Sequence, residues 1–118
     1  MKTAQTIRRE LHKHLESGFT EFYTTGLIAA YLEDMGWTVH MGPDIYQEDR
    51  LGVPDQATLE EAMERARKLG TAPEYLDRMA GGYTGVIASL VRGTGKTVTL
   101  RFDIDCIEVG EANLTKYH

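Results

Sequence analysis

The sequence TGVIASLVRGTGKTVTLRFDID, residues 84–105, contains the two strongest strand patterns of the chain. Residues 84–91 and 97–105 are rich in β-branched and apolar side chains, and the connection between them contains two glycines. A short glycine-containing connection predicts an antiparallel β-hairpin. Because side chains alternate along a strand, the apolar residues of the second strand share one face. They are Val98, Leu100, Phe102 and Ile104.

Helical patterns precede these strands. Apolar residues spaced by four predict an amphipathic helix over residues 4–16, which Gly18 ends. A broader apolar set predicts a second and more buried helix from Thr20, its expected N-cap, to Met35. The alternating residues 37–42 predict a short strand after this helix.

A loop over residues 43–56 leads to two further helices. The capping-box spacing of Thr58 with Glu61 predicts the first of them, and the same spacing from Thr71 to Glu74 predicts the second. The predicted order is helix, helix, strand, helix, helix, strand, strand. This order fits an α/β or an α+β arrangement, and we predict an α/β fold in which helices pack on a mixed sheet with a β-hairpin.

The length of 118 residues allows one domain or a piece of one, and the composition is that of an ordinary globular protein with a formal net charge of −5. The acidic balance argues against nucleic acid as a partner, because phosphate-binding surfaces need clustered Lys and Arg. A single cysteine allows no intramolecular disulfide. The first residues lack the apolar segment of a secretory signal, and no stretch of the sequence is apolar enough for a membrane span. We therefore expect a cytoplasmic protein with no membrane partner.

Two aspartates, Asp103 and Asp105, end the second predicted strand. Carboxylates two residues apart on a strand lie on the same face, roughly 6.5 to 7 Å apart. Strand ends are where α/β sheets place ligand sites, so the pair is a candidate site. The four histidines are isolated or stand two apart on a helix, which favours packing or surface roles for them.

Several interpretations of the aspartate pair remain open from the pattern alone. A solvated strand end would carry two such charges without any function. A nucleotide-sugar transferase would bind manganese through a D-x-D sequence, and an inverting glycosidase would use two carboxylates at this separation. A metal site would take one aspartate as a ligand while the second orients a neighbouring ligand.

Two longer stretches resemble a known family. They are IRRELHKHLESGFTEFYTTGLIAAYLEDMGWTVHMG, residues 7–42, and GGYTGVIASLVRGTGKTVTLRFDIDCIEV, residues 81–109. The first resembles the opening of the metal-dependent aminoacylase and carboxypeptidase amidohydrolases, and the second resembles their glycine-led strand, turn and aspartate-bearing strand. The motif ESGFTEF, residues 16–22, and the helical insertion at residues 42–85 are similar to the aminobenzoyl-glutamate hydrolase branch.

The resemblance implies hydrolysis of an amide bond next to an amino-acid carboxylate, in a small N-acyl amino acid such as an aminobenzoyl-glutamate conjugate. The family uses a pair of divalent metals, zinc or manganese, with a metal-activated water and a glutamate as general base. Asp103 stands where many relatives have a histidine metal ligand. Asp105 stands on the acidic residue that supports a ligand, which gives it a catalytic role.

Most metal ligands of the family and its general base lie beyond the strand that carries the two aspartates. The resemblance therefore predicts the N-terminal segment of a three-layer catalytic domain, without the lid or dimerisation domain, which binds no metal and is inactive alone. Its expected partners are the remainder of the enzyme or further copies of itself. The alternative is a non-catalytic binding or interaction module that reuses this segment of the fold, because a cut sheet leaves edges that associate.

Overall fold

The described part of the chain, residues 3–47 and 49–106, contains four α-helices and two β-strands in this computed structural model. In chain order the elements are α1 (Ala4–Lys13), α2 (Phe22–Asp34), β1 (Thr38–Met41), a 3-10 turn (Pro43–Ile45), α3 (Gln56–Leu69), α4 (Pro73–Arg78) and β2 (Val86–Ser89). Helices that contact a sheet confirm the predicted α/β class. No helix in the described ranges is long and apolar enough to cross a membrane.

Helix α2 occupies the centre of the fold and contacts α3, α4 and both strands. Its apolar residues face several directions, and Phe22 and Ala29 are fully buried as a result. Burial of a side chain the size of Phe22 contributes roughly 1.5–3 kcal/mol to stability. Among the described residues, the buried apolar core consists of Phe22, Tyr23, Ala29, Met41, Leu59, Ala62, Ala66, Leu76 and Met79.

Gly26 permits a close contact between α2 and the residues that follow α3. A Cβ atom at this position would lie 2.7 Å from Cγ2 of Thr71, which is well inside the contact distance of two carbon atoms. Thr71 is buried, and its amide donates to Ala66 O at the end of α3 (3.0 Å). The missing side chain at Gly26 therefore lets α2 and α3 approach each other.

Strands β1 and β2 pair antiparallel, with Thr38 opposite Ser89 and Met41 opposite Val86. Met41 is buried in the core, whereas Thr38 and Ser89 are exposed, so the sheet has one face toward the core and one toward solvent. The strand predicted over residues 37–42 is confirmed, shorter by one residue at each end.

The hairpin predicted between residues 84–91 and 97–105 is wrong in its pairing, because β2 pairs with β1 instead. Residues 90–106, all of them described, belong to neither a helix nor a strand. The apolar side chains of the predicted second strand are mostly exposed: Val98 at 81%, Leu100 at 73% and Phe102 at 77%. Alternation indicates the two faces of a strand but not its partner, and β1 offers β2 a partner that is already anchored in the core through Met41.

The starts of α2 and α3 differ from the predicted ones. Glu21 directly precedes α2, while the hydroxyl of Thr20, the expected cap, donates to Ser17 O (2.7 Å). Helix α3 is capped by Asp55, whose Oδ1 accepts the amide of Thr58 (2.8 Å). The capping box predicted from Thr58 is therefore wrong, because an aspartate three residues earlier provides the same acceptor.

Gly42 and Gly36 form a matched pair that tests a backbone contact of β1. Both have positive φ angles, but a Cβ atom at Gly42 would lie 2.6 Å from Arg78 O, whereas no atom of the described residues lies within 4 Å of one at Gly36. Gly36→Ala should lower the free energy of unfolding by about 1 kcal/mol through its conformation alone. Gly42→Ala should lower it by about 2 kcal/mol or more, because the Arg78 backbone must move as well. Urea denaturation measures both, and equal losses would contradict the role given to the Arg78 contact.

Candidate functional site

A cleft of about 240 Å³ lies between α1 and residues 103–106. Arg8 and His12 line it from α1, and Asp103 and Asp105 line it from the opposite segment. The structure thus brings both predicted aspartates to one cavity, although the segment that carries them is not a strand. His12, for which the sequence predicted a packing or surface role, belongs to the same polar lining.

Glu16 also lines the cleft and is only 3% exposed. Its Oε2 accepts the amide of Tyr23 (2.9 Å) and its Oε1 accepts the amide of Thr24 (2.7 Å). These amides lie in the first turn of α2 and have no partner within the helix, so the carboxylate caps the helix and interacts favourably with its dipole. The backbone oxygen of Glu16 accepts the amide of Cys106 (2.8 Å). One residue therefore contacts both the start of α2 and the segment that carries the aspartates.

The two aspartates have different surroundings. Asp103 forms an ion pair with Arg101, in which Nη2 lies 2.9 Å from Oδ1. Both side chains are exposed, so this pair contributes little stability. Asp105 lies beside the connection between α1 and α2, because a Cβ atom at Gly18 would be 3.8 Å from Asp105 Oδ2. Asp105 is also close enough for its charge to act on Glu21.

Glu21 is a second buried carboxylate next to this cleft. The hydroxyl of Thr84 donates to Glu21 Oε1 (2.8 Å). Burial raises the pKa of Glu21 above its usual value, hydrogen bonds to the carboxylate act in the opposite direction, and the charge of Asp105 adds to the increase. Thr84 is held in place from its other side, because its carbonyl accepts the hydroxyl of Tyr46 (2.5 Å).

An aromatic cluster holds the loop before α3 against the glycines before β2. The Arg50 guanidinium lies 3.7 Å from the centroid of the Tyr83 ring and donates to Gly81 O (3.1 Å). Tyr46 meets Tyr83 edge to face, with ring centroids 5.4 Å apart. Phe19 packs against Tyr46 with a centroid distance of 6.5 Å. The cluster therefore also fixes the chain just before α2.

Helix α1 is attached to α2 through Tyr23. The Tyr23 hydroxyl donates to Glu10 Oε1 (3.0 Å). Burial, followed by this hydrogen bond and the nearby carboxylate charges, raises the pKa of Tyr23 to about 12. The His14 ring meets the Tyr23 ring edge-on, with centroids 5.2 Å apart. This contact agrees with the packing or surface roles predicted for the histidines.

The described residues do not form a complete metal site. Within residues 3–47 and 49–106, no group of three or more His, Cys, Asp or Glu side chains is placed to hold a metal ion. A catalytic zinc takes about three protein ligands. Asp103 and Asp105 fit a metal only as part of a larger ligand set, and the metal-binding and catalytic roles assigned to them stay predictions.

The sequence patterns missed two buried glutamates, Glu16 in the lining of the cleft and Glu21 near Asp105. Glu16 stands six residues before Phe22, and this spacing belongs to no capping motif. The ESGFTEF motif contains both Glu16 and Glu21, but a motif by itself does not say what its residues contact. Their partners are backbone amides and Thr84, and that residue lies more than sixty positions along the chain.

The buried Glu21 predicts a pH-dependent stability. A carboxyl with a raised pKa keeps its proton longer in the folded state than in the unfolded chain, so stability falls as the pH rises from the ordinary pKa through the raised one. Glu21→Gln removes this ionisation and keeps an acceptor for Thr84. We expect the variant to gain stability relative to the wild type as the pH rises from about 4. Urea denaturation across this range measures the difference, and the exposed Glu61→Gln is the control. Parallel profiles for the wild type and Glu21→Gln would contradict the prediction.

Comparison with known protein families finds no family whose model matches the chain. Individual proteins do match. The chain is 39% identical over 106 residues to indole-3-acetyl-aspartic acid hydrolase of Enterobacter agglomerans. It is 36% identical over 106 residues to one of the subunits of p-aminobenzoyl-glutamate hydrolase of Escherichia coli, and 40% identical over 105 residues to the homolog from Haemophilus influenzae. These matches cover 87 to 88% of the chain but 24 to 25% of the relatives, so the chain spans about a quarter of the length of the curated relatives it matches.

A solved structure resembles the fold as well. The crystal structure of aminobenzoyl-glutamate utilization protein from Klebsiella pneumoniae matches with a TM-score of 0.70 and 40% sequence identity. The match covers 73% of this chain and 22% of that chain. Sequence and fold thus agree with the resemblance carried by the motifs. Over the matched residues, the chain is homologous to proteins named as hydrolases of p-aminobenzoyl-glutamate and indole-3-acetyl-aspartic acid.

Proposed function

We propose that this chain contributes part of the active site of a hydrolase that cleaves the amide bond of N-acyl amino acids, with aminobenzoyl-glutamate as the substrate class. The observation that carries the proposal is the 36 to 40% identity to relatives named for aminobenzoyl-glutamate and indole-3-acetyl-aspartic acid hydrolysis. Both names describe an aromatic acyl group on an acidic amino acid. The proposal includes a cytoplasmic location, which the use of a single cysteine favours.

The charged residues of the cleft support this proposal. The Arg8 guanidinium suits the carboxylate of an amino-acid substrate. Asp103 takes the role of a metal ligand, and Asp105 orients a neighbouring ligand as a catalytic support. A pair of divalent metals, zinc or manganese, belongs to the proposal. The residues that complete the metal site and act as general base are supplied by protein outside the described ranges.

A graft into a relative tests the proposal. The matched 106 residues of the Escherichia coli relative are replaced by the corresponding residues of this chain. Release of glutamate from p-aminobenzoyl-glutamate is then measured, and we expect the graft to be active. Asp105→Asn in the graft should lower kcat/KM by about 10- to 100-fold, the usual effect of losing a residue that orients a metal ligand. Asp103→Asn removes a proposed metal ligand and should weaken metal affinity by at least the roughly 10-fold that losing an outer partner costs.

Two controls accompany the graft. The exposed Asp44→Asn lies outside the cleft and should leave kcat/KM unchanged. The polypeptide of residues 1–118 by itself should release no glutamate, because the resemblance puts most metal ligands elsewhere. A folded but inactive graft, or a graft that tolerates both cleft substitutions, would refute the proposed function. Metal-dependent hydrolysis by the 118-residue polypeptide would refute the expectation that most of the metal ligands lie outside it.

A second candidate function is association without catalysis, and one observation favours it. Val98, Leu100 and Phe102 alternate along a segment that is neither helix nor strand, and they remain 73 to 81% exposed. A row of apolar side chains at strand spacing suits pairing with another chain, because an unpaired strand offers both its face and its backbone groups. We propose that a second copy of the chain covers this row in the 118-residue polypeptide.

Light scattering tests this association. The 118-residue polypeptide should form dimers or larger species at micromolar concentration, and Phe102→Ser should shift it toward the monomer by removing apolar area from the row. Leu51→Ser is the matched control, because Leu51 is 90% exposed but stands outside the row. A monomeric wild type, or an equal effect of both substitutions, would contradict the second candidate.

A further inference from the structure

The segment that carries the aspartates is held at its end by a backbone hydrogen bond. The amide of Cys106 donates to Glu16 O (2.8 Å), and Asp105 is the residue just before this contact. From Val91 to Phe102 the preceding residues are exposed, so they provide little packing that would hold the segment. The backbone of Glu16 is therefore a described contact that helps to set the position of the two aspartates.

The side chain of Glu16 fixes that backbone. Its two carboxylate oxygens accept the amides of Tyr23 and Thr24 at 2.9 and 2.7 Å, and the residue is only 3% exposed. Hydrogen bonds from backbone amides to a carboxylate are stronger than those between neutral groups, and the two together determine the orientation of the side chain. The start of α2 lies against the buried core through Phe22, so it is a rigid support.

We propose that Glu16 is a positioning residue, which transmits the fixed position of the α2 N-terminus to the segment of Asp103 and Asp105. The side chain binds the helix and the backbone oxygen binds the segment. The assignment of a catalytic consequence rests on the proposed function, whereas the mechanical link between helix and segment does not. Glu16 itself touches no reacting group in this role.

The chemistry of the side chain suggests the informative substitution. A glutamine at this position has nearly the same shape but only one acceptor oxygen, and its amide group is a donor. Glu16→Gln therefore satisfies one of the two amides and places a donor against the other. The charge that interacts with the helix dipole is lost as well.

Cys106 provides the readout, because it is the single cysteine of the 118-residue chain and adjoins Asp105. Iodoacetamide modification of Cys106 and amide exchange of its backbone N–H are measured under conditions where the variant remains folded by circular dichroism. We expect Glu16→Gln to raise both rates about tenfold or more, as the loss of a charged, buried hydrogen bond predicts.

Two control variants separate positioning from a general loss of stability. Asp55→Asn removes a carboxylate cap of the same chemistry from α3, where Asp55 accepts the Thr58 amide at 2.8 Å. Leu76→Ala removes a fully buried core side chain. Both should leave the rates at Cys106 within about twofold of the wild type once the loss of global stability is matched by urea. Equal increases in the controls, or no increase in Glu16→Gln, would overturn the proposal.

A measurement on the unsubstituted chain keeps the proposal testable if Glu16→Gln fails to fold. The amides of Tyr23 and Thr24 report on the carboxylate of Glu16, and the amide of Cys106 reports on its carbonyl. If one residue couples the two, all three amides should show the same opening free energy and the same dependence on low urea concentrations. A Cys106 amide that opens independently of the other two would overturn the proposal.

This outcome is separate from that of the graft. Coupled opening combined with an inactive graft would refute the proposed hydrolase and keep the positioning role. An active graft combined with independent opening of Cys106 would refute the positioning role and keep the hydrolase.

Discussion

The first turn of α2 is the constraint on which the arrangement of the cleft depends. Its amides need acceptors because no helical carbonyl precedes them, and they lie next to the buried Phe22, where water gives little help. Glu16 supplies two acceptors from outside the helix. The chain between α1 and α2 must therefore fold back over the helix start, and this path places Gly18 and Glu21 beside Asp105.

The local elements of the fold could be predicted from the sequence, whereas the pairing of the strands could not. Helix α3 and strand β1 each bury a face whose residues recur at a fixed period, and helix α2 is apolar on several sides, so a short window contains the necessary information. The partner of β2 is set by contacts with a strand some forty-five residues earlier. Residues 97–105 carry a strong alternating pattern but remain without a partner strand in the described chain, because a pattern does not supply the surface that would bury it.

The candidate site was predictable to a similar extent. The aspartates stood out because two carboxylates follow an apolar pattern, and the resemblance gave them roles. Glu16 and Glu21 form part of the same motif, yet only three-dimensional contacts distinguish what they do. Glu16 receives two amide donors at a helix N-terminus, which stabilises a buried charge. Glu21 receives the Thr84 hydroxyl and lies near another carboxylate, and burial raises its pKa.

Stability is distributed unevenly between the packed helices and sheet on one side and the segment that carries the aspartates on the other. The helices and the sheet share one apolar core, and the loop before α3 is fastened by the Arg50 aromatic cluster. Residues 97–103 have exposed side chains. The segment contacts the rest of the fold near Cys106, whose amide donates to Glu16 O. Segments with few buried contacts open most readily, and binding groups often lie in them because they must adapt to a ligand. Among the described residues, the contact made by Glu16 therefore links the segment of the aspartates to the start of α2, through a buried charge on one side and a backbone carbonyl on the other.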